Sequence, residues 1–353
     1  MSDVPGSGDG DSARPDDSSV DVVCLGNALV DVLAHTTDDV LAGLGAVKGS
    51  MALVDLDRAG EIYGHMRNTI EVSGGSAANT AAGIAALGGR AGFIGNVADD
   101  ELGEVFVHDI GVLGVELAES MRRPAGGARV EDGLATGRCL VLVTPDGERT
   151  MSTYLGAATV LAPDGLDLDL VTRAEIVYVE GYLWDSEPAK KSVRRAIEAA
   201  HSTNGLVALS ASDPFCAERH RRDFLSMLHE DVDLLFCNAD EAKLLFGSQD
   251  VAHAIGSLEE TGLLAAVTKG SEGSVVVSAE GLIEIPAEPV EDVVDTTGAG
   301  DLYAAGFLYG LTHGLEPRAC AVLAGKCAAE VITHLGARPQ VDLADFLKDP
   351  RLS

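Results

Sequence analysis

The chain has 353 residues, 46% of them apolar, which is enough for a sizeable buried core and too many for a disordered chain. Its formal charge of −31 argues against a general nucleic-acid binder, whose phosphate partner selects Lys and Arg, and against docking on an anionic membrane. An anionic ligand would have to be held by local devices: a helix N-terminus, a nest of backbone N–H groups, Mg²⁺ or a few placed basic residues.

No apolar run reaches transmembrane length, and the N-terminus has neither the basic nor the apolar stretch of a secretory signal, so a cytoplasmic location is expected. Cys24, Cys139, Cys216, Cys237, Cys320 and Cys327 form no C-x-x-C pair and are expected to be small buried hydrophobes in a reducing compartment.

Residues 1–19, rich in Gly, Ser, Asp and Pro, read as a disordered acidic tail. The apolar run Val20–Leu25 reads as a buried strand that gives way to a loop at Gly26-Asn27. Further buried strands are expected at 91–95, 176–179, 206–209, 234–237 and 264–267. Helices are expected between them, at 76–87, 101–113, 186–201, 217–229 and 239–246, and two more close the chain at 299–313 and 317–333. Strands alternating with helices imply βαβ units and a parallel sheet covered on both faces. Residues 44–54 and 136–156 break this rhythm and read as extended chain, the second as a hairpin turning at Pro145-Asp-Gly. A small antiparallel sheet beside a large parallel one would make a lid.

The strongest chemical signal is Asp295-Thr-Thr-Gly-Ala-Gly-Asp301, where a loop enters a helix. Small residues let a phosphate approach the backbone, and the N–H groups of Gly298, Ala299 and Gly300 would form an anion hole for a transferring phosphoryl group. Asp301 follows, and the helix dipole is expected to keep it ionised, ready to take the proton of an attacking hydroxyl. A bare Gly-x-Gly-Asp is read equally well as an ordinary helix cap. Gly74 and Gly75 in Ser73-Gly-Gly-Ser-Ala-Ala-Asn79 present bare backbone, and Asn79 can both donate to and accept from hydroxyls. There is no Walker A motif and no Rossmann fingerprint, which weighs against a dinucleotide-dependent oxidoreductase.

Together these stretches resemble the two signatures of the PfkB (ribokinase-like) family of carbohydrate and nucleoside kinases. Ser73–Gly88 with Phe93–Gly103 matches the N-terminal signature and Val293–Phe307 the C-terminal one, in family order. The resemblance covers residues 20–346 and implies a ribokinase-like three-layer α/β/α sandwich with a central, mostly parallel sheet and a small β-sheet lid. The kinase domain would span 20–348, with lid segments near 44–54 and 136–156. The implied activity is ATP-dependent transfer to an alcohol, with Asp301 as base.

By the same resemblance Asn27, Asp31, Gly74, Gly75 and Asn79 line the acceptor site, Asp31 gripping a vicinal diol. Asn238, Thr268, Gly270, Gly273 and the lid residue Arg149 would contact ATP. Glu241 would order Mg²⁺ through water, and Asp295 and Thr297 are where a K⁺ site of the family would fall. The opening Gly26-Asn-Ala-Leu-Val-Asp31, the apolar Tyr182, Leu183 and Trp184 in Glu180–Asp185, and the Gly336-Ala-Arg-Pro339 stretch lean toward the adenosine-kinase branch, with Tyr182 and Leu183 against a base. A free-sugar kinase is the alternative, and a non-catalytic ligand sensor on the same fold a distant one. The expected partners are ATP and a small molecule, with no nucleic acid and no membrane, in a monomer or homodimer.

Overall fold

A computed structural model describes residues 19–122 and 133–352, so nearly all of the expected acidic tail lies outside the described residues. In chain order the strands are β1 (Val20–Leu25), β2 (Leu29–His35), β3 (Met51–Leu53), β4 (Ile70–Gly74), β5 (Ala91–Ile94), β6 (Glu116–Leu117) and β7 (Gly137–Val143). They continue with β8 (Arg149–Tyr154), β9 (Ala174–Glu180), β10 (Leu206–Ser210), β11 (Leu234–Asn238), β12 (Leu264–Thr268), β13 (Ser274–Ser278) and β14 (Gly281–Ile285).

One sheet runs β14-β13-β12-β11-β10-β9-β1-β5-β6. Strands β6 to β12 are parallel in it, and the β13–β14 hairpin adds an antiparallel edge. Its middle strands are buried along their whole length, VDVVCL in β1 and LLFC in β11, as expected where helices cover both faces. The fold is the ribokinase-like α/β sandwich: a large, mostly parallel sheet, a second smaller sheet, and helices on both sides.

The expected helices form at Ser76–Ala86, Glu101–Val112, Glu187–Ser202, Ala239–Phe246, Ala299–Thr312 and Pro317–Val331. The stretch expected as one helix at 217–229 is two, Pro214–Arg219 and Arg221–Glu230, hinged at His220. The helix Ala299–Thr312 is buried almost all round and packs on small residues: a Cβ at Gly306 would run into the Ala324 backbone and one at Gly310 into Cys320. Six free cysteines are buried. No helix among the described residues is long and apolar enough to cross a membrane.

The second sheet runs β3-β8-β7-β2-β4. It is larger than expected: β2 and β4 belong to it, and of 44–54 only Met51–Leu53 is strand. Register divides its two faces, because paired residues point the same way and neighbours along a strand alternate. Val30, Val32, Ala34, Leu140 and Leu142 are buried with Leu41, Ala59 and Ile62 in the main core. The opposite face carries one row across Val72, Asp31, Cys139, Thr153 and Leu53, and the next across Ile70, Leu33, Val141, Met151 and Met51. Cys139, Val141, Val143, Leu33 and Met151 form a separate apolar cluster there, with Met51 and Leu53 51% and 63% exposed at its margin.

Candidate active site

The loop Asp295–Gly298 enters the helix Ala299–Thr312 through Gly298, whose φ of 81° is left-handed and whose Cβ would collide with Ala337, so glycine is required twice over. Ala299 N–H turns back to the Thr296 carbonyl at 3.2 Å, and Leu302 N–H is the first to bond within the helix, to Gly298 at 2.8 Å. Among the described residues the N–H groups of Gly300 and Asp301 have no backbone acceptor, and a Cβ at Gly300 would meet only open space. Of the expected Gly298–Gly300 set only the Ala299 N–H is taken up by the turn; Gly298 N–H, like those of Gly300 and Asp301, has no backbone acceptor among the described residues.

Asp301 faces the start of the helix Ser76–Ala86. Ser76 Oγ donates to its Oδ1 at 2.6 Å and Asn79 Nδ2 to its Oδ2 at 2.8 Å. Removal from water raises its pKa above the ordinary carboxylate value, against the lowering pull of Ser76, Asn79 and Arg338. The sequence argument expected the helix dipole to depress it; desolvation outweighs that effect. A raised pKa makes a better proton acceptor near neutrality.

Asn79 is placed differently from the expectation of a sugar-binding amide. It is 5% exposed, its Nδ2 serves Asp301, and its Oδ1 accepts from the Arg338 guanidinium. Asn27 is also buried, with Nδ2 donating to Glu180 Oε1 at 2.9 Å. Gly74 and Gly75 answer first to the protein itself: a Cβ at Gly74 would strike the Asp31 carboxylate, and one at Gly75 (φ 96°) the Asn27 carbonyl. Asp31 sits on the face of the small sheet turned away from the main core. Burial pushes its pKa up to about 6; Arg338 and Arg149 pull it down, and the charges of Asp301 and Asp295 push it up.

Arg149, at the start of β8, reaches from the small sheet to the anion-hole loop. It pairs with Asp295 and donates to Thr297 Oγ1 at 2.8 Å; Asp295 also accepts from Gly336 N–H at 2.9 Å and Thr297 N–H at 3.1 Å. The side chains of Asp295 and Thr297, where the K⁺ site was expected, hold the Arg149 guanidinium in this structure.

Asn238 ends β11 in register with Thr268 at the end of β12, and Glu241 lies in the first turn of the helix Ala239–Phe246 that follows. They form a capping box, Asn238 N–H and Nδ2 donating to the two Glu241 oxygens at 2.9 and 2.5 Å. Glu241 is buried without a basic partner among the described residues, and desolvation pushes its pKa up to about 7. A lone, desolvated carboxylate whose oxygens already accept amide hydrogens fits a hydrated Mg²⁺ approached through water rather than direct ligation. Gly270 (φ 57°) faces open space, whereas a Cβ at Gly273 would overlap the Ile285 carbonyl, so packing of the β13–β14 hairpin accounts for Gly273.

Tyr182, Leu183 and Trp184 follow β9 in a short 3₁₀ turn. Leu183 is 1% and Trp184 0% exposed, Trp184 lying edge-on to Phe224 with its Nε1 on Asp223 at 3.1 Å. The expectation of Leu183 against a base is therefore corrected: both side chains belong to the core, where each burial is worth roughly 1.5–3 kcal/mol. Tyr182 is partly buried, and burial together with the charge of Asp213 raises the pKa of its hydroxyl.

Two residues not singled out in the sequence join this site. Glu180, at the C-terminal end of β9, is 1% exposed and accepts from Ala77 N–H at 2.9 Å and from Asn27; burial pushes its pKa up to about 7. A lone acid closing the apolar run Ile176–Val179 was its only signal. Arg338 had only its place in the Gly336–Pro339 stretch, without a role of its own.

The structure thus brings together a carboxylate at a helix N-terminus, first-turn N–H donors beside it and a second carboxylate on the small sheet, the arrangement expected of a kinase of small-molecule alcohols. The chain belongs to the PfkB family of carbohydrate kinases, whose family model matches residues 44–343. It is 30% identical to adenosine kinase of Saccharomyces cerevisiae over 315 residues, 83% of this chain and 89% of that one. It is 30% identical to a fructokinase of Klebsiella pneumoniae over 310 residues, 84% and 96%. The structure of adenosine kinase from Sinorhizobium meliloti superposes with a TM-score of 0.84 at 44% identity, covering 94% of this chain and 99% of that one. The protein is an ATP-dependent sugar or nucleoside kinase, and kinases of this family use ATP, usually with Mg²⁺.

Proposed function

We propose that the acceptor is a nucleoside, adenosine foremost, phosphorylated on the hydroxymethyl group of its ribosyl ring. The observation that carries this reading is the apolar face around Asp31. Leu33, Val141 and Met151 lie one row from Asp31, with Met51 and Leu53 left exposed at the margin. A free hexose or pentose carries hydroxyls on every side and would leave this surface uncovered. A ribosyl ring held by Asp31 could lay its base on it and bury the exposed side chains. The likeness to adenosine kinases agrees with this, while the equally similar fructokinase keeps a free sugar as the second reading.

In the reaction so proposed, Asp31 accepts two hydrogen bonds from the ribosyl diol, which turns the primary hydroxyl toward Asp301. Ser76 and Asn79 hold the Asp301 carboxylate in place to take the hydroxyl proton as the oxygen attacks the γ-phosphorus in line. The Gly300 and Asp301 N–H groups face the charge on the transferring phosphoryl oxygens. Mg²⁺, where bound by way of Glu241, Asn238 and water, would neutralise charge on the phosphates. Arg149, tied to Asp295 and Thr297, closes the small sheet over the site and excludes water.

The test is ADP release measured with adenosine, inosine, guanosine, ribose, fructose and fructose phosphates. A nucleoside should exceed ribose and fructose in kcat/KM by at least about a hundredfold, the value of burying a base. Higher efficiency with fructose or ribose would overturn the reading and favour a sugar kinase.

A further inference from the structure

Arg338 lies in the loop that follows the helix Pro317–Val331, yet its guanidinium reaches Asn79 and Ser73, beside Asp31 and Asp301 of the site. One arm, Nη1, donates to Asn79 Oδ1; the other, Nη2, donates to Ser73 O at 2.7 Å and Ser73 Oγ at 2.9 Å. Ser73 is itself fixed, its N–H and Oγ donating to Asp109 Oδ2 at 2.7 and 2.5 Å. A continuous line of bonds thus runs from Asp109 through Ser73, Arg338 and Asn79 to Asp301.

The chemistry of that line is directional. A guanidinium has donors only and a carboxylate acceptors only, so each end accepts one orientation of the Asn79 amide. Arg338 takes the oxygen, and the nitrogen must then face Asp301. We propose that Arg338 is a positioning residue for phosphoryl transfer: by holding Asn79 Oδ1 it fixes the amide with Nδ2 on Asp301 Oδ2, and so aims the base at the attacking hydroxyl. Without it the amide is free to turn, and an Oδ1 facing the carboxylate would repel it.

Arg338 also adds a positive charge to a crowded acidic site. Asp301 on the helix Ala299–Thr312, Asp31 on β2 and Asp109 on the helix Glu101–Val112 all face it, and Arg149 on β8 with Asp295 acts on Asp31 from the other side. Its charge lowers the proton affinity of both Asp31 and Asp301. Loss of the charge should therefore raise both, and activity that needs their ionised forms should fail at a higher pH.

A double-mutant cycle on the full-length protein, with the acceptor that the wild type phosphorylates best, tests this. Arg338→Met, Asn79→Ala and the double variant are compared for kcat, KM and the acid limb of the pH profile. Arg338→Met should lower kcat about 10- to 100-fold with KM for ATP within about threefold, and the double variant should be no more than about twofold worse than the poorer single one. The acid limb should move up in Arg338→Met and return part-way in Arg338→Lys. If Arg338→Met does not fold, Arg338→Lys takes its place in the cycle. Effects that multiply, an acid limb that does not move, or near-normal kcat in a folded variant would each overturn the proposal. The inference rests on Asp301 being the base. A wild type with no turnover on any acceptor would defeat that reading itself, whereas independent effects in an active enzyme defeat only the role of Arg338.

Discussion

Asp301 and Asp31 stand on different layers of the molecule and are held by different means. Asp301 belongs to the large α/β layer: both oxygens accept hydrogen bonds from one neighbouring helix, on a loop whose Gly298 can be nothing else. Asp31 belongs to the small sheet, in a row with Val72, Cys139, Thr153 and Leu53, its pKa raised first by burial and then set by Arg338 and Arg149 against Asp301 and Asp295. The first arrangement fixes one atom for one chemical step. The second leaves a carboxylate with no side-chain donor among the described residues, beside an apolar cluster whose margin, Met51 and Leu53, is exposed. The reaction type therefore resides in the rigid layer and the choice of acceptor in the covering one.

Changes on the two sides should fail in different ways. The largest effect is expected from Asp301→Asn, which keeps the shape and removes the base: kcat should fall by at least about a hundredfold with the thermal transition preserved. Near-normal turnover would remove Asp301 from the mechanism. Asp31→Asn should strike kcat/KM instead, since a charge-assisted hydrogen bond is worth about 1.5–3 kcal/mol, some 10- to 150-fold. In the wild type kcat/KM should fall as pH drops through about 6, where Asp31 takes up a proton and can no longer accept two hydroxyls. A profile flat from pH 5 to 7 would contradict that assignment.

Arg149→Met breaks the tie between the layers. It leaves Asp295 buried without its cation, and the cost to stability should be about 3 kcal/mol, read as a lowered denaturation midpoint. Unchanged stability would mean that the two layers are held together elsewhere. The smallest effect is expected from Met51→Ser with Leu53→Ser: a few-fold rise in KM for nucleosides and none for free ribose. An equal change for both would separate the apolar face from base recognition.

Much of the large layer was legible in the sequence because its signals are local. Apolar runs alternate with helical stretches, and a glycine turn enters a helix with an acid at its first turn. The small sheet was read only in part. β2 and β4 carry half-buried residues with charges among them, Asp31 and Glu71, and such strands look like loop until their partners are known. Leu183 and Trp184 looked like ligand surface because apolar side chains after a strand resemble both core and site, and only burial distinguishes them. Glu180 and Arg338 were beyond reach for another reason. Their meaning lies in contacts across 153 and 259 residues, with Asn27 and Asn79, and no local pattern encodes those.

The most direct test of the account is where the phosphate lands. Asp31 holding a diol on one layer and Asp301 facing the primary hydroxyl on the other predict a single product from adenosine and ATP, the 5′-monophosphate, identified by phosphorus–proton coupling in the NMR spectrum. A phosphate on a ring hydroxyl, or inorganic phosphate with the nucleoside unchanged, would contradict it.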